Sequence, residues 1–209
     1  MNPELTQPSL LSRVRDSSDQ AAWREFEAKY RELILRFCRR RGLQQADAED
    51  VLQLAMQFLV KSLPQFAYDP KRGRFRDYLY QTVRSAISRL KERPIPAGRA
   101  LDTSMMAVLA DEDESQTAAL WEREWINHHY RQAMETIRHS FDPRSLDVFD
   151  RLMAGAGVDE VARAFEMSAD AVYKVRQRVR GRMEELIAMQ VREEEDVDGP
   201  NAESRTAMA

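Results

Sequence analysis

Five bases, Lys174, Arg176, Arg178, Arg180 and Arg182, follow one another at every second position with no acid between them. Wound as a helix at 100° per residue, this stretch puts Val172, Val175, Val179, Met183 and Leu186 on one face, which reads as core. The opposite side is centred on Asp170, Tyr173, Lys174, Gln177 and Arg178, flanked by Arg180. Planar, amide and guanidinium groups in that mixture suit base edges and phosphates. A solvated basic helix in an ordinary bundle would carry the same pattern.

A second constellation holds Phe66, Tyr68, Lys71, Arg72, Arg74, Phe75, Arg76, Tyr78 and Tyr80. Rings interleaved with cations can stack unpaired bases while the charges hold phosphates. Phe75 and Tyr78 fit a core pair at i and i+3 equally well. A third lies between Asp47 and Val60. Val51, Leu52, Ala55, Phe58 and Leu59 define its core face, and Asp50, Gln53 and Gln57 point outward. Leu54 on the shoulder and Val60 towards the outer side add apolar spots to a polar surface, as protein docking would, or as scattered exposed apolar residues would.

Enzyme chemistry finds little support. His128, His129 and His139 lack a zincin spacing, and the single Cys38 cannot build a thiolate metal site or an internal disulfide. Gly155-Ala156-Gly157 lacks the third glycine of a dinucleotide fingerprint, and no Walker-type loop occurs. The expectation is therefore no catalysis, no metal, no cofactor and no small-molecule substrate. The N-terminus has no secretory pattern and no apolar run approaches the roughly 20 residues of a bilayer span, so a reducing, cytoplasmic setting is expected and no membrane partner.

The elements that position these groups are helical. In 209 residues only seven are Gly and eight Pro, which leaves long uninterrupted stretches for helix. Trp23, Phe26, Tyr30, Leu33, Ile34 and Phe37 recur at spacings of three and four, predicting a helix closed near Gly42. Asp47, Glu49 and Asp50 open a second, which ends at Pro64; a loop spans Pro64 to Gly73, and a third helix runs from Arg74 to about Lys91. A long helix through Leu120, Trp121, Trp125, Tyr130, Met134 and Ile137 precedes one opened by Asp142-Pro143. A short helix, Val158 to Phe165, turns through Glu166-Met167-Ser168 into the basic helix, with Ser168 as its N-cap: a helix-turn-helix pattern. The fold class is all-α, two small helical domains joined by a flexible linker. The expected boundaries are an N-terminal tail over 1–16, a first domain over 17–92, an acidic linker over 93–116, a second domain over 117–191 and a disordered acidic tail over 192–209.

The net charge of −3 conceals segregation. Lys71 to Arg93 carries +6, while Asp111 to Glu114 and Glu193 to Asp198 hold much of the opposing charge. Two basic patches separated by acids suggest two surfaces on one polyanion.

In order and content these segments resemble bacterial RNA polymerase sigma factors of the extracytoplasmic-function group. Trp23 through Asp47-Ala48-Glu49-Asp50-Val51-Leu52-Gln53, then Tyr68-Asp69-Pro70-Lys71-Arg72-Gly73-Arg74-Phe75-Arg76-Asp77-Tyr78-Leu79, is similar to sigma region two. Met167-Ser168-Ala169-Asp170-Ala171-Val172-Tyr173-Lys174, within Val158 to Leu186, is similar to sigma region four. The resemblance implies a factor that binds core RNA polymerase and directs it to promoters. Asp50, Gln53, Leu54 and Gln57 would dock on polymerase, Leu54 replacing the glutamate usual in that family. Phe66, Tyr68, Asp69, Lys71, Arg72, Arg74, Phe75, Arg76 and Tyr78 would recognise and open the minus-ten element. Ser168, Ala169, Asp170, Tyr173, Lys174, Gln177, Arg178 and Arg180 would read the minus-thirty-five element. It also admits an anti-sigma protein as a further partner. A stand-alone helix-turn-helix regulator is the competing reading, and it leaves the Phe66 to Tyr80 cluster and the Asp50 to Val60 surface unexplained.

Overall fold

The computed structural model describes residues 9–65, 74–92 and 113–195. All regular structure among them is helical. α1 is Leu10–Arg13, α2 Gln20–Arg40, α3 Gln45–Ser62, α4 Phe75–Lys91, α5 Glu114–Ser140, α6 Pro143–Met153, α7 Val158–Ala164 and α8 Ala169–Glu195, with a 3-10 turn at Leu63–Gln65. The chain packs as two compact units, divided between Ile126 and Asn127 inside α5 and between Val191 and Arg192 near the end of α8.

The first unit is built on α2, whose start is fixed by Asp19: its carboxylate accepts the Ala22 N–H at 2.9 Å. The face predicted from periodicity is buried, with Phe26, Leu33, Ile34 and Phe37 fully so. α3 and α4 cover it with Val51, Leu52, Leu59, Leu79, Val83 and Ile87. Trp121 and Trp125 of α5 close the same core. Trp121 meets Phe37 edge to face at 5.1 Å, and Trp125 stacks on Tyr30 at 6.2 Å. The sequence assigned both indoles to the second domain, but the five-residue step from Trp125 to Tyr130 turns the helix by about 140° and takes Tyr130, Met134 and Ile137 off the Trp121–Trp125 stripe, which marks where the helix passes from one core to the other.

Arg192 to Glu195, expected to be disordered, continue α8. Glu194 is buried and accepts a hydrogen bond from the Tyr30 hydroxyl at 2.9 Å, and Lys29 pairs with Glu193 at 3.4 Å. Burial first, and then the Glu194 charge, push the Tyr30 hydroxyl well above its ordinary range. The expected linker and the rest of the tail lie outside the described residues, except that 113–116 lead into and begin α5.

Cys38 is also in this core, and burial pushes its thiol up to about 12. A folded-state value above the unfolded one keeps its stabilising contribution below the ordinary thiol range near pH ~8.5 and loses it as pH climbs from there towards about 12. The expected result is no reaction with a thiol reagent at mildly alkaline pH in the native protein, and full reaction after denaturation. Rapid native labelling would show that the core around Cys38 opens readily.

The second unit packs Ala133, Met134 and Ile137 of α5 against Val148 and Phe149 of α6, Val161 and Ala162 of α7, and the predicted Val172, Val175, Val179, Met183 and Leu186 face of α8. Asp142 caps α6 by accepting the Ser145 N–H at 2.9 Å, with Pro143 at the first position. Hydrogen bonds from the Ser145 side chain and backbone hold the Asp142 carboxyl below its usual range.

α2, α6 and α7 end in the same way. After α6, the Ala156 N–H bonds the Arg151 carbonyl and the Gly155 N–H the Leu152 carbonyl, with Gly155 at φ 96°. After α7 the Met167 N–H bonds the Ala162 carbonyl at 2.9 Å and the Glu166 N–H the Arg163 carbonyl at 3.3 Å, but the left-handed position is Glu166, at φ 50°. A side chain there carries a steric cost that glycine avoids. Glu166→Gly is expected to stabilise the second unit by about 1 kcal/mol, read as a higher denaturation midpoint. A lower midpoint would mean that the Glu166 side chain contributes more than its backbone strain takes away.

Candidate nucleic-acid and docking surfaces

On α3, Gln53 and Gln57 are exposed, as the helix phase predicts, whereas Asp50, expected to point outward with them, is half-buried. Val60 is exposed too, at 38%. Leu54 is not: at 6% it belongs to the first core. The expectation of a shoulder position is corrected because α3 packs against both α2 and α4, and two neighbours bury a wider arc than one. Apart from Val60, its apolar spot, the exposed side of α3 is polar around Gln53 and Gln57. Beside it, Glu49 accepts from Arg31 at 2.5 Å and from Gln45 at 2.8 Å, so its carboxylate is tied down on its own surface.

Of the minus-ten set, Phe66, Tyr68, Asp69, Lys71 and Arg72 lie outside the described residues. Arg74 is exposed immediately before α4, and its backbone N–H donates to Asp77 at 3.2 Å, which fixes the start of that helix. Phe75 is 1% exposed, within 6.0 Å of the Phe26 ring, 5.4 Å of Tyr30 and 6.4 Å of Trp125. It is a core residue rather than a platform for bases, because the first residue of α4 turns inward onto α2. Tyr78 is half-buried and its hydroxyl shares a short hydrogen bond with Ser62.

Arg76 reaches Glu122 of α5 at 2.5 Å and Asp77 at 3.3 Å, with 22% of its side chain exposed. Arg84 is paired with Glu114, also of α5, at 2.5 Å, and lies over the Tyr80 ring at 5.5 Å. Arg89 pairs with Glu92 at 3.0 Å. Two cations of this segment, Arg76 and Arg84, are thus met by glutamates from a distant part of the sequence, which a count along the chain cannot foresee. Arg74 is the described member of the set with its side chain most open to a phosphate.

In the second unit the helices stand where the residues put them: α7 ends at Ala164 and α8 begins at Ala169, with the Ser168 hydroxyl accepting the Ala171 N–H at 3.1 Å. The Arg144 guanidinium donates to the Phe165 carbonyl and holds the turn against α6. Asp170, Tyr173, Lys174, Gln177, Arg178 and Arg180 are all exposed, Tyr173 at 50%, and Ala169 is half-exposed. Lys174 bonds Asp170 at 2.8 Å, which raises the lysine's proton affinity. Arg180 pairs with Glu184 at 2.8 Å and Arg182 with Glu185 at 3.0 Å. The Arg176 guanidinium covers the Tyr173 ring at 5.3 Å. Arg178 leans the other way, within 3.5 Å of the Ser145 hydroxyl at the start of α6. Exposed pairs of this kind contribute little to stability and exchange readily for other anions.

No group of three or more His, Cys, Asp or Glu among the described residues could hold a metal ion, and no described helix is long and apolar enough to cross a membrane. Residues 28–93 match the family model for sigma-70 region 2, which covers most of α2, all of α3 and all of α4. That match supports a sigma factor family and a role in transcription initiation. No curated protein and no solved structure matches the chain.

Proposed function

We propose that the chain is a sigma factor of the extracytoplasmic-function group, which binds core RNA polymerase in the cytoplasm and directs it to specific promoters without catalysing a reaction itself. The observation that carries this reading is the match to sigma-70 region 2 over residues 28–93. A cation-bearing helix at the far end of the chain, presented by a short helix and a tight turn, supplies the second DNA surface that the reading needs. In this reading Gln53, Gln57 and Asp50 dock on polymerase. Arg74, with the preceding Phe66 to Gly73 segment, acts on the minus-ten element. The exposed side of α8 reads the minus-thirty-five element as a helix-turn-helix.

Facing separates the roles on α8. Tyr173, Lys174 and Gln177 lie opposite the valine stripe and approach base edges; Arg178 and Arg180 lie to its sides and meet phosphates. The test is transcription from genomic fragments by core enzyme with and without the protein, followed by a library of minus-thirty-five variants. Specific initiation only in its presence is the expected result. Gln177→Ala and Lys174→Ala should change which variants are used, and Arg180→Ala should lower all of them alike. Tight, specific DNA binding by the free chain, with no association with core enzyme, would replace this reading with that of a stand-alone regulator.

A further inference from the structure

Met167 from the turn and Ala171, Lys174, Val175, Gln177 and Arg178 of α8 line an open groove of about 500 Å³. Its members divide by character. Val175 is 5% exposed and Met167 and Ala171 are half-buried, whereas Lys174, Gln177 and Arg178 are exposed. The groove therefore has an apolar base with two cations and an amide around it, and no acid lines it. The nearest carboxylate on the helix, Asp170, is engaged by Lys174 in an exposed pair that a competing acceptor can displace.

We propose that this groove takes the 5-methyl group of a thymine in the major groove of duplex DNA, with Met167 and Ala171 as the specificity-determining contacts. The inference rests on the reading of α8 as the minus-thirty-five reader. An aliphatic side chain of a protein partner would fit an apolar base of this kind, but the surrounding charge favours a polyanion. Thymine is the base that offers an apolar group in that groove, beside acceptor edges suited to Lys174 and the Gln177 amide. Arg178, turned towards Ser145, stands where a phosphate on that side would be met.

The experiment uses the full chain in complex with core polymerase on the preferred minus-thirty-five element. Each thymine is replaced in turn by deoxyuridine, which removes only the methyl group. One position should lose roughly fourfold in promoter binding, the factor that burial of a single methyl supports. Met167→Ala, and independently Ala171→Ser, which places a hydroxyl in the groove at a half-exposed site, should abolish the difference between thymine and deoxyuridine there and leave the salt dependence unchanged. A clear minus-thirty-five preference with no position sensitive to deoxyuridine would overturn the inference and leave the reading of α8 intact. So would a preferred element without thymine on either strand. Loss of core polymerase binding by Ala171→Ser in the absence of DNA would assign the groove to a protein contact instead. Absence of any minus-thirty-five preference would overturn the reading of α8 and the inference with it.

Discussion

Phe75→Ala is expected to lower the stability of the first unit by about 3–5 kcal/mol, the usual range for removing a buried aromatic ring. The ring is 1% exposed and sits among Phe26, Tyr30, Tyr78 and Trp125, so truncation leaves a cavity at the meeting point of α2, α4 and α5. A loss of that size is a large fraction of the total stability of a small domain, and the variant should melt early and lose every function of the unit together. Arg74→Ala, one residue earlier and exposed, should leave the melting temperature nearly unchanged and weaken promoter opening alone. Thermal melts of both variants beside permanganate footprinting of the promoter separate the two effects. If Phe75→Ala kept full stability and lost only opening, its ring would leave the core to meet a base, contrary to its burial in the free chain.

The contrast between these neighbours marks how far sequence reasoning reaches here. Helix phase was legible wherever one face is buried: the α2 stripe and the α8 valines stand as periodicity requires. So were Asp142 and Ser168, because each offers an oxygen to a free N–H at a helix start. The change of cores within α5 is also written in the spacing, because the five-residue step from Trp125 to Tyr130 is about 140° of turn and breaks the stripe, although assigning Trp121 and Trp125 to the second domain passed over it. Two things were not legible. Arg76 and Arg84 look like free cations until Glu122 and Glu114 are seen beside them, and those acids are far away in sequence. Glu194 looks like part of a solvated acidic run, although one clue existed: Tyr30 lies on the core face, and a buried hydroxyl needs a partner.

α3 carries the other large effect. Leu54→Arg and Gln53→Arg introduce the same side chain at adjacent positions of α3, and a reading that places both outside the core expects two stable proteins that bind polymerase poorly. Burial separates them. Leu54, 6% exposed between α2 and α4, leaves no room for a guanidinium and no partner for its charge, so Leu54→Arg should cost several kcal/mol and fail by unfolding. Gln53 is exposed, so Gln53→Arg should stay within about 0.5 kcal/mol of the parent protein in denaturant titrations. Its loss should appear only when core polymerase is added, as weaker co-elution and lower initiation. Leu54→Ala completes the comparison. It removes a buried side chain without adding charge, so it should destabilise by about 2–5 kcal/mol while the variant that remains folded still binds polymerase. Were Leu54→Ala to keep its stability and lose polymerase binding, Leu54 would be a docking residue that leaves the core on association. Were Gln53→Arg to bind as well as the parent, the contact would lie elsewhere on α3, with Gln57 and Asp50 the next positions to change.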